Sequence, residues 1–227
     1  MKPWSLILIS AIILAVCGSP AQAQQLINKN INVGGTNRTY LVYLPVNFDP
    51  AEYMPAMFFF HGGGGTANGG IYECDFRPLA NAERFIAVYP QGYGNTWNSG
   101  PRCCSPANRD GIDDVGFLTA VIDEVAARHP IDRAAVFANG MSNGGYMSAR
   151  LMCDAPDAFV AAASVTGAGP WEDFTANCNL DRPYPYMHIH GTFDFVVPYS
   201  RAVDVVRNLH FSQKSAKMVK CAWRFSA

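Results

Sequence analysis

Short apolar runs recur along the chain, most of them closed by a glycine or a proline. Thr39–Leu44 (TYLVYL) is rich in β-branched and aromatic residues and stops at Pro45. Ala56–Phe60 ends in His61 and four glycines, and Phe85–Tyr89 is closed by Pro90. Ala134–Ala138, Val160–Ser164 and Tyr186–Ile189 continue the series. Runs this short and continuous suit strands covered on both faces, as in a mostly parallel sheet. Helical spacing separates them. Asp114–Arg128 carries Val115, Leu118, Ile122 and Val125 on one stripe, with acids near its start and Arg128 and His129 near its end. Gly145–Cys153 and Tyr199–Leu209 are further predicted helices. Strands alternating with helices predict the α/β class, with helices on both faces of one sheet in a single domain.

Residues 1–23 stand outside that pattern. Lys2, an apolar run from Leu6 to Val16 and the small-residue ending Ala21-Gln22-Ala23 have the order of a secretory signal peptide. This predicts a leader over 1–23, a domain over 24–227, and a secreted or periplasmic destination. Leu14-Ala15-Val16-Cys17 offers a lipoprotein alternative, with Val16 a poor residue before a modified Cys. The run falls short of the roughly 20 residues a membrane helix needs, so stable insertion is not expected. Across 227 residues, 49% are hydrophobic and only 15% charged, which excludes disorder. The net charge of −1 supplies no field for nucleic acid. Six cysteines lie beyond the leader: Cys74, Cys103, Cys104, Cys153, Cys178 and Cys221. An even count in an exported domain predicts disulfides, with adjacent Cys103 and Cys104 taking different partners. The paired spacings of a zinc site are absent.

Candidate chemistry concentrates in three places. Gly140-Met141-Ser142-Asn143-Gly144 follows an apolar run and precedes a helix, the setting of a nucleophile elbow that lifts Ser142 above a sheet. His61-Gly62-Gly63-Gly64-Gly65 follows a buried-type strand. Such a loop can bring main-chain donors to an oxyanion, and Gly63 and Asn143 are the expected N–H groups. His61 itself reads as a packed structural residue. His190-Gly191-Thr192-Phe193-Asp194 closes the last clear strand, and Asp194 follows Ser142 in the Ser…Asp…His order of α/β-hydrolases. His188 and His190 share a strand face, but no in-register third ligand follows, so no metal is expected. The chemistry needs no cofactor.

Together, HGGGG, PQGYGNTWN, CC, DDVGFLTAVID, GMSNGGYMS and HIHGTFDFVVPY resemble the secreted polyhydroxybutyrate-depolymerase-like esterases, which include bacterial and fungal feruloyl esterases. The resemblance runs from about Tyr40 to about Asn208. It implies an α/β-hydrolase fold and a Ser-Asp-His triad acting on carboxylic esters. Ser142 is then the nucleophile, Asp194 the acid and Gly63 the first oxyanion donor, with Trp97 lining the acyl pocket. Asp113 and Asp114 fall in a family motif and read equally as helix N-terminal acids. The family's histidine follows one more strand after the acid. Here His210 is the one histidine after Asp194, and a helix over Tyr199–Leu209 would carry its far end about 15 Å from the catalytic edge. Met218–Phe225 is the candidate last strand. The sequence is therefore expected to be truncated, with the last strand and histidine loop incomplete. The implied substrate is an ester, foremost a feruloyl ester of plant cell-wall xylan. Polyhydroxybutyrate or acetyl esters are the alternatives, and so is a catalytically impaired relic without the triad histidine.

Overall fold

The computed structural model describes residues 25–101, 103–169, 178, 180 and 182–201, and the backbone of a strand at 216–221. The predicted leader and His210 lie outside the described residues.

Among the described residues eight strands form one sheet: β1 (Gln25–Val33), β2 (Thr36–Leu44), β3 (Met54–Phe60), β4 (Ile86–Pro90), β5 (Ile131–Met141), β6 (Ala161–Val165), β7 (Tyr186–Gly191) and β8 (Ala216–Cys221). Their order is β1-β2-β4-β3-β5-β6-β7-β8. From β4 to β8 every neighbouring pair is parallel, whereas β2 runs antiparallel to both β1 and β4. The six predicted strands are β2 to β7, with shifts at the ends. The candidate strand at Met218–Phe225 begins earlier, at Ala216, and pairs with β7 from Tyr186↔Ala216 to Gly191↔Cys221. An eighth strand is thus paired over Ala216–Cys221, and residues 222–225 of the expected strand lie outside the described residues. Strand β1 had not been anticipated. It joins β2 through Gly34 and Gly35, whose φ values of 57° and 82° fit a two-residue hairpin turn.

Among the described residues four helices cover the sheet: α1 (Ala67–Glu73), α2 (Arg77–Glu83), α3 (Asp114–Arg128) and α4 (Asn143–Asp154); most of the predicted helix Tyr199–Leu209 lies outside them. Alternation along the strands divides the core in two. Phe58, Phe60, Ile86 and Val88 pack on one face with Phe117, Leu118 and Val121 of α3 and with Met147 and Leu151 of α4. Phe59, Ala87 and Tyr89 pack on the other with Ile71 of α1, Ala80 of α2 and Phe76. Burying side chains of this size contributes about 1.5–3 kcal/mol each. Helix α3 has the predicted bounds, with Asp113 as its N-cap: Oδ1 accepts from Gly116 N at 2.8 Å.

The cysteines depart from expectation. Cys153 in the last turn of α4 is bonded to Cys178, but Cys103 and Cys104 are bonded to each other. The peptide between them is cis. Cys74 is a free thiol, and burial, aided by Asp75 and Glu73, pushes it up to about 11. Among the described residues no helix is long and apolar enough to cross a membrane.

Candidate active site

At the end of β5 the chain turns sharply into α4, and Ser142 occupies the turn with φ 52° and ψ −117°. That region is costly for any residue with a Cβ, and such outliers persist only where surrounding structure enforces them. Here the enforcement is visible. A Cβ on Gly144 would strike the Phe60 carbonyl, and one on Gly140 would strike the Gly144 carbonyl. A Cβ on Gly145 would lie 2.7 Å from Ser164 Oγ and 3.0 Å from the Val165 carbonyl. Glycine is therefore required at 140, 144 and 145 by backbone packing between β3, β5, β6 and α4. Ser142 N donates to the Val165 carbonyl at 2.8 Å, and Tyr146 N donates to the Ser142 carbonyl at 3.0 Å. The Ser142 hydroxyl is half-buried and has no hydrogen-bond partner among the described residues.

The glycine loop after β3 lies against this turn. Ideal Cβ positions on Gly62 and Gly63 would fall 3.7 Å from Ser142 Cβ and 3.6 Å from Asn143 Cβ, respectively. Gly62, Gly64 and Gly65 donate their N–H groups to Glu73 Oε2, Asn95 O and Gly62 O. The N–H groups of Gly63 and Asn143 have no partner among the described residues. Two unpaired main-chain donors thus stand beside the serine, one of them in the first turn of a helix whose dipole favours negative charge. His61 braces the loop. Its Nδ1 donates to the Gly62 carbonyl at 2.8 Å, and its Nε2 accepts from Gly92 N at 3.0 Å. Burial holds this imidazole below its usual range, against the raising effect of the Gly62 carbonyl. His61 is structural, as the sequence suggested.

Trp97 corrects an expectation. The indole is fully buried, 5.5 Å from Phe60 and 5.1 Å from His61 between ring centres, and Nε1 donates to the His61 carbonyl at 3.0 Å. It supports the glycine loop from beneath instead of lining an open pocket. The Asn143 side chain clamps the same peptide, accepting from Trp97 N at 2.7 Å and donating to Trp97 O and Ser99 Oγ, each at 3.1 Å. Beyond it, Asn98 N donates to Asp114 Oδ2 at 2.6 Å, and Arg38 Nη2 donates to Asp114 Oδ1 at 2.6 Å. The Arg38 guanidinium also lies over the Phe117 ring at 3.9 Å. Burial pushes the Asp114 carboxyl up, opposed chiefly by Arg38 and the Asn98 N–H. Sequence reasoning missed both the Asn143 clamp and the Arg38–Asp114 pair.

Asp194 sits in a turn after β7. Its Oδ1 accepts from Val196 N and Val197 N, both at 2.9 Å, and its Oδ2 lies 3.5 Å from His190 Nε2. Val197 packs on Tyr146 in the first turn of α4 and on Ala168, which brings the Asp194 turn against the start of α4. Phe193 and Phe195 flank Asp194 and are 77% and 90% exposed. No described histidine serves Ser142. The nitrogens of His61, His188 and His190 are engaged elsewhere, and His129 caps the far end of α3, roughly 30 Å of strand from Ser142.

Residues 90–179 match the prolyl oligopeptidase family. The chain is 27% identical over 176 residues to the bifunctional acetylxylan esterase/xylanase XynS20E of Neocallimastix patriciarum, covering 77% of this chain and 24% of that protein. It is 29% identical over 181 residues to feruloyl esterase B of Piromyces equi, covering 74% and 31%. The chain spans less than half the length of the first curated relatives it matches. Among solved structures, a CE1 ferulic acid esterase from Anaeromyces mucronatus superposes with a TM-score of 0.71 at 15% identity, covering 89% of this chain and 84% of that one.

Proposed function

We propose that this chain, an α/β-hydrolase in fold, is a serine carboxylic-ester hydrolase whose substrates are feruloyl or acetyl esters of plant cell-wall polysaccharide. The observation that carries the reading is the Ser142 turn. A hydroxyl without a partner among the described residues is held at positive φ, beside two main-chain donors that no described carbonyl satisfies. Similarity to enzymes named for feruloyl and acetylxylan esters supports the substrate class.

In this mechanism Ser142 Oγ attacks the ester carbonyl carbon as a histidine takes its proton. Negative charge gathers on the former carbonyl oxygen, and Gly63 N–H and Asn143 N–H receive it. Preorganised donors of this kind contribute about 10²–10³ in rate apiece. Collapse expels the alcohol, which takes the histidine's proton, and water then releases the acid by the same steps. Asp194 orients the histidine and stabilises its cation. The histidine comes from outside the described residues, and His210 is the candidate in this sequence. Export through the leader at 1–23 belongs to the same proposal.

A second reading, a chain that binds esters but turns them over slowly, draws on the engagement of the described histidines near the site. Acylation separates the two. With a chromogenic phenolic ester, a stoichiometric burst that is lost in Ser142→Ala, together with fluorophosphonate labelling of Ser142, is the expected result. Binding without a burst supports the second reading, and failure to label Ser142 in folded protein sinks both. Methyl ferulate assayed beside short hydroxybutyrate oligomers tests the substrate class.

A further inference from the structure

Tyr186, His188 and His190 alternate along β7, face the same way and are buried. The proposed chemistry uses none of them, yet they form a continuous chain. Tyr186 Oη lies 3.2 Å from His188 Nδ1, His188 Nε2 lies 3.0 Å from His190 Nδ1, and His190 Nε2 lies 2.8 Å from the Val197 carbonyl oxygen. The two imidazoles stack at 5.2 Å, nearly parallel. A carbonyl oxygen can only accept, so the proton of His190 is on Nε2. With one N–H on each ring, His190 Nδ1 must accept from His188 Nε2–H. His188 Nδ1 is then left to accept from the Tyr186 hydroxyl. Every bond points from Tyr186 towards Val197, and no other single-proton arrangement satisfies all three contacts.

The chain ends on the turn that carries Asp194. One carboxylate oxygen is fixed by Val196 N–H and Val197 N–H, the Val197 carbonyl is bound by His190, and the other carboxylate oxygen stands 3.5 Å from His190 Nε2. With the opposite tautomer, a lone pair on Nε2 would face both the carbonyl and the carboxylate. Three acceptors would then converge without a proton. His188 prevents this by offering its own N–H to His190 Nδ1.

We propose that Tyr186, His188 and His190 are positioning residues for Asp194, a one-directional hydrogen-bond chain that fixes His190 as an Nε2 donor and so holds the Asp194 turn in one orientation. The inference rests on the reading of Asp194 as the acid of the triad.

Nitrogen-15 correlation spectra of the histidine-labelled wild-type chain near neutral pH test the chain directly. Nε2–H tautomers at both His188 and His190 are expected, and an Nδ1–H tautomer at either overturns the proposal whether or not esters are hydrolysed. His188→Leu frees His190 to switch tautomer. It should lower kcat on a phenolic ester roughly 10- to 100-fold per labelled Ser142, the scale of a misplaced catalytic group, with KM little changed. A Gln at 188 can donate its amide N–H to His190 and accept from Tyr186, so His188→Gln should recover most of the rate. A wild-type kcat per active site in His188→Leu overturns the proposal. Should that variant not fold, Tyr186→Phe removes only the hydroxyl: the Val197 carbonyl still sets the direction, so both rings should keep their Nε2–H tautomers, and an Nδ1–H tautomer at either overturns the proposal. Absence of wild-type ester hydrolysis would sink the proposed function alone, leaving the tautomers to decide the chain.

Discussion

At the end of β5, carbonyl groups of Phe60 and Gly144 occupy the places where side chains would stand, and Ser142 is fixed by main-chain bonds to Val165 and Tyr146. Two strands away, at the end of β7, the Asp194 turn is assembled from side chains: a carboxylate on two N–H groups, an imidazole on a carbonyl, and a second imidazole and a phenol behind it. The first arrangement has nothing that titrates. The second depends on protons being in particular places. Volume should disturb the Ser142 turn most, and acidity should disturb the Asp194 turn.

The largest effect belongs to volume. Gly144→Ala adds one methyl group against the Phe60 carbonyl, where neither backbone can yield without opening β3 from α4. A loss of at least about 3 kcal/mol is expected, lowering Tm by roughly 6–12 °C, with Ser142 no longer labelled by a fluorophosphonate. Calorimetry and labelling of the same preparation check it, and retention of labelling with unchanged Tm would refute the account of the elbow.

Acidity comes next. Burial, and then the neighbouring His190, push the His188 imidazole down to about 4 from its usual 6.5. Between those values the unfolded chain takes up a proton that the folded chain refuses. Stability contributed by the neutral ring is complete above about pH 6.5 and is lost as pH falls towards 4. The loss is on the order of 3 kcal/mol. Urea unfolding at pH 7.5 and 4.5 should show that slope, and His188→Gln should flatten it; equal slopes in the two proteins would mean that other groups carry it.

The smallest effect is on the rim. Phe195→Ser alters a ring that is almost wholly in solvent, so Tm should move by no more than about 2 °C. A larger drop in melting temperature would show that the side chain packs in solution and that the Asp194 turn is less exposed than described.

Legibility in the sequence followed the range of the interactions. Helix α3 could be bounded to the residue because its apolar stripe, its N-terminal acids and its terminal Arg128 are all local. The elbow was readable for the same reason, since strand, turn and helix lie within a few residues. Strand β1 was missed although Ile27, Ile31 and Val33 alternate with asparagines, because an edge strand buries only half of that pattern. Helix α1 was missed because two adjacent glycines in seven residues conceal it, and only Thr66, its N-cap, announced it. The role of Asp114 was out of reach: its partner Arg38 is 76 residues away, on another element. Trp97 was misread because an aromatic beside a site looks the same in sequence whether it faces outward or supports the floor. For β7 the shared face of His188 and His190 was visible, but the direction of their hydrogen bonds depends on the Val197 carbonyl.

The ion pair between β2 and α3 has a bearing on how this protein could be shortened or joined to another. Arg38 belongs to the antiparallel hairpin at one margin of the sheet, far from Ser142 in the strand order, yet it neutralises the carboxylate that holds the Asn98 amide next to Trp97 and Asn143. Trimming that hairpin, or grafting the remainder onto another amino-terminal module, would strand an anion in the interior and slacken the peptide on which Asn143 rests. The margin of the sheet is therefore a foundation for the peptide that holds Asn143, and a minimal version of this domain has to begin before Arg38.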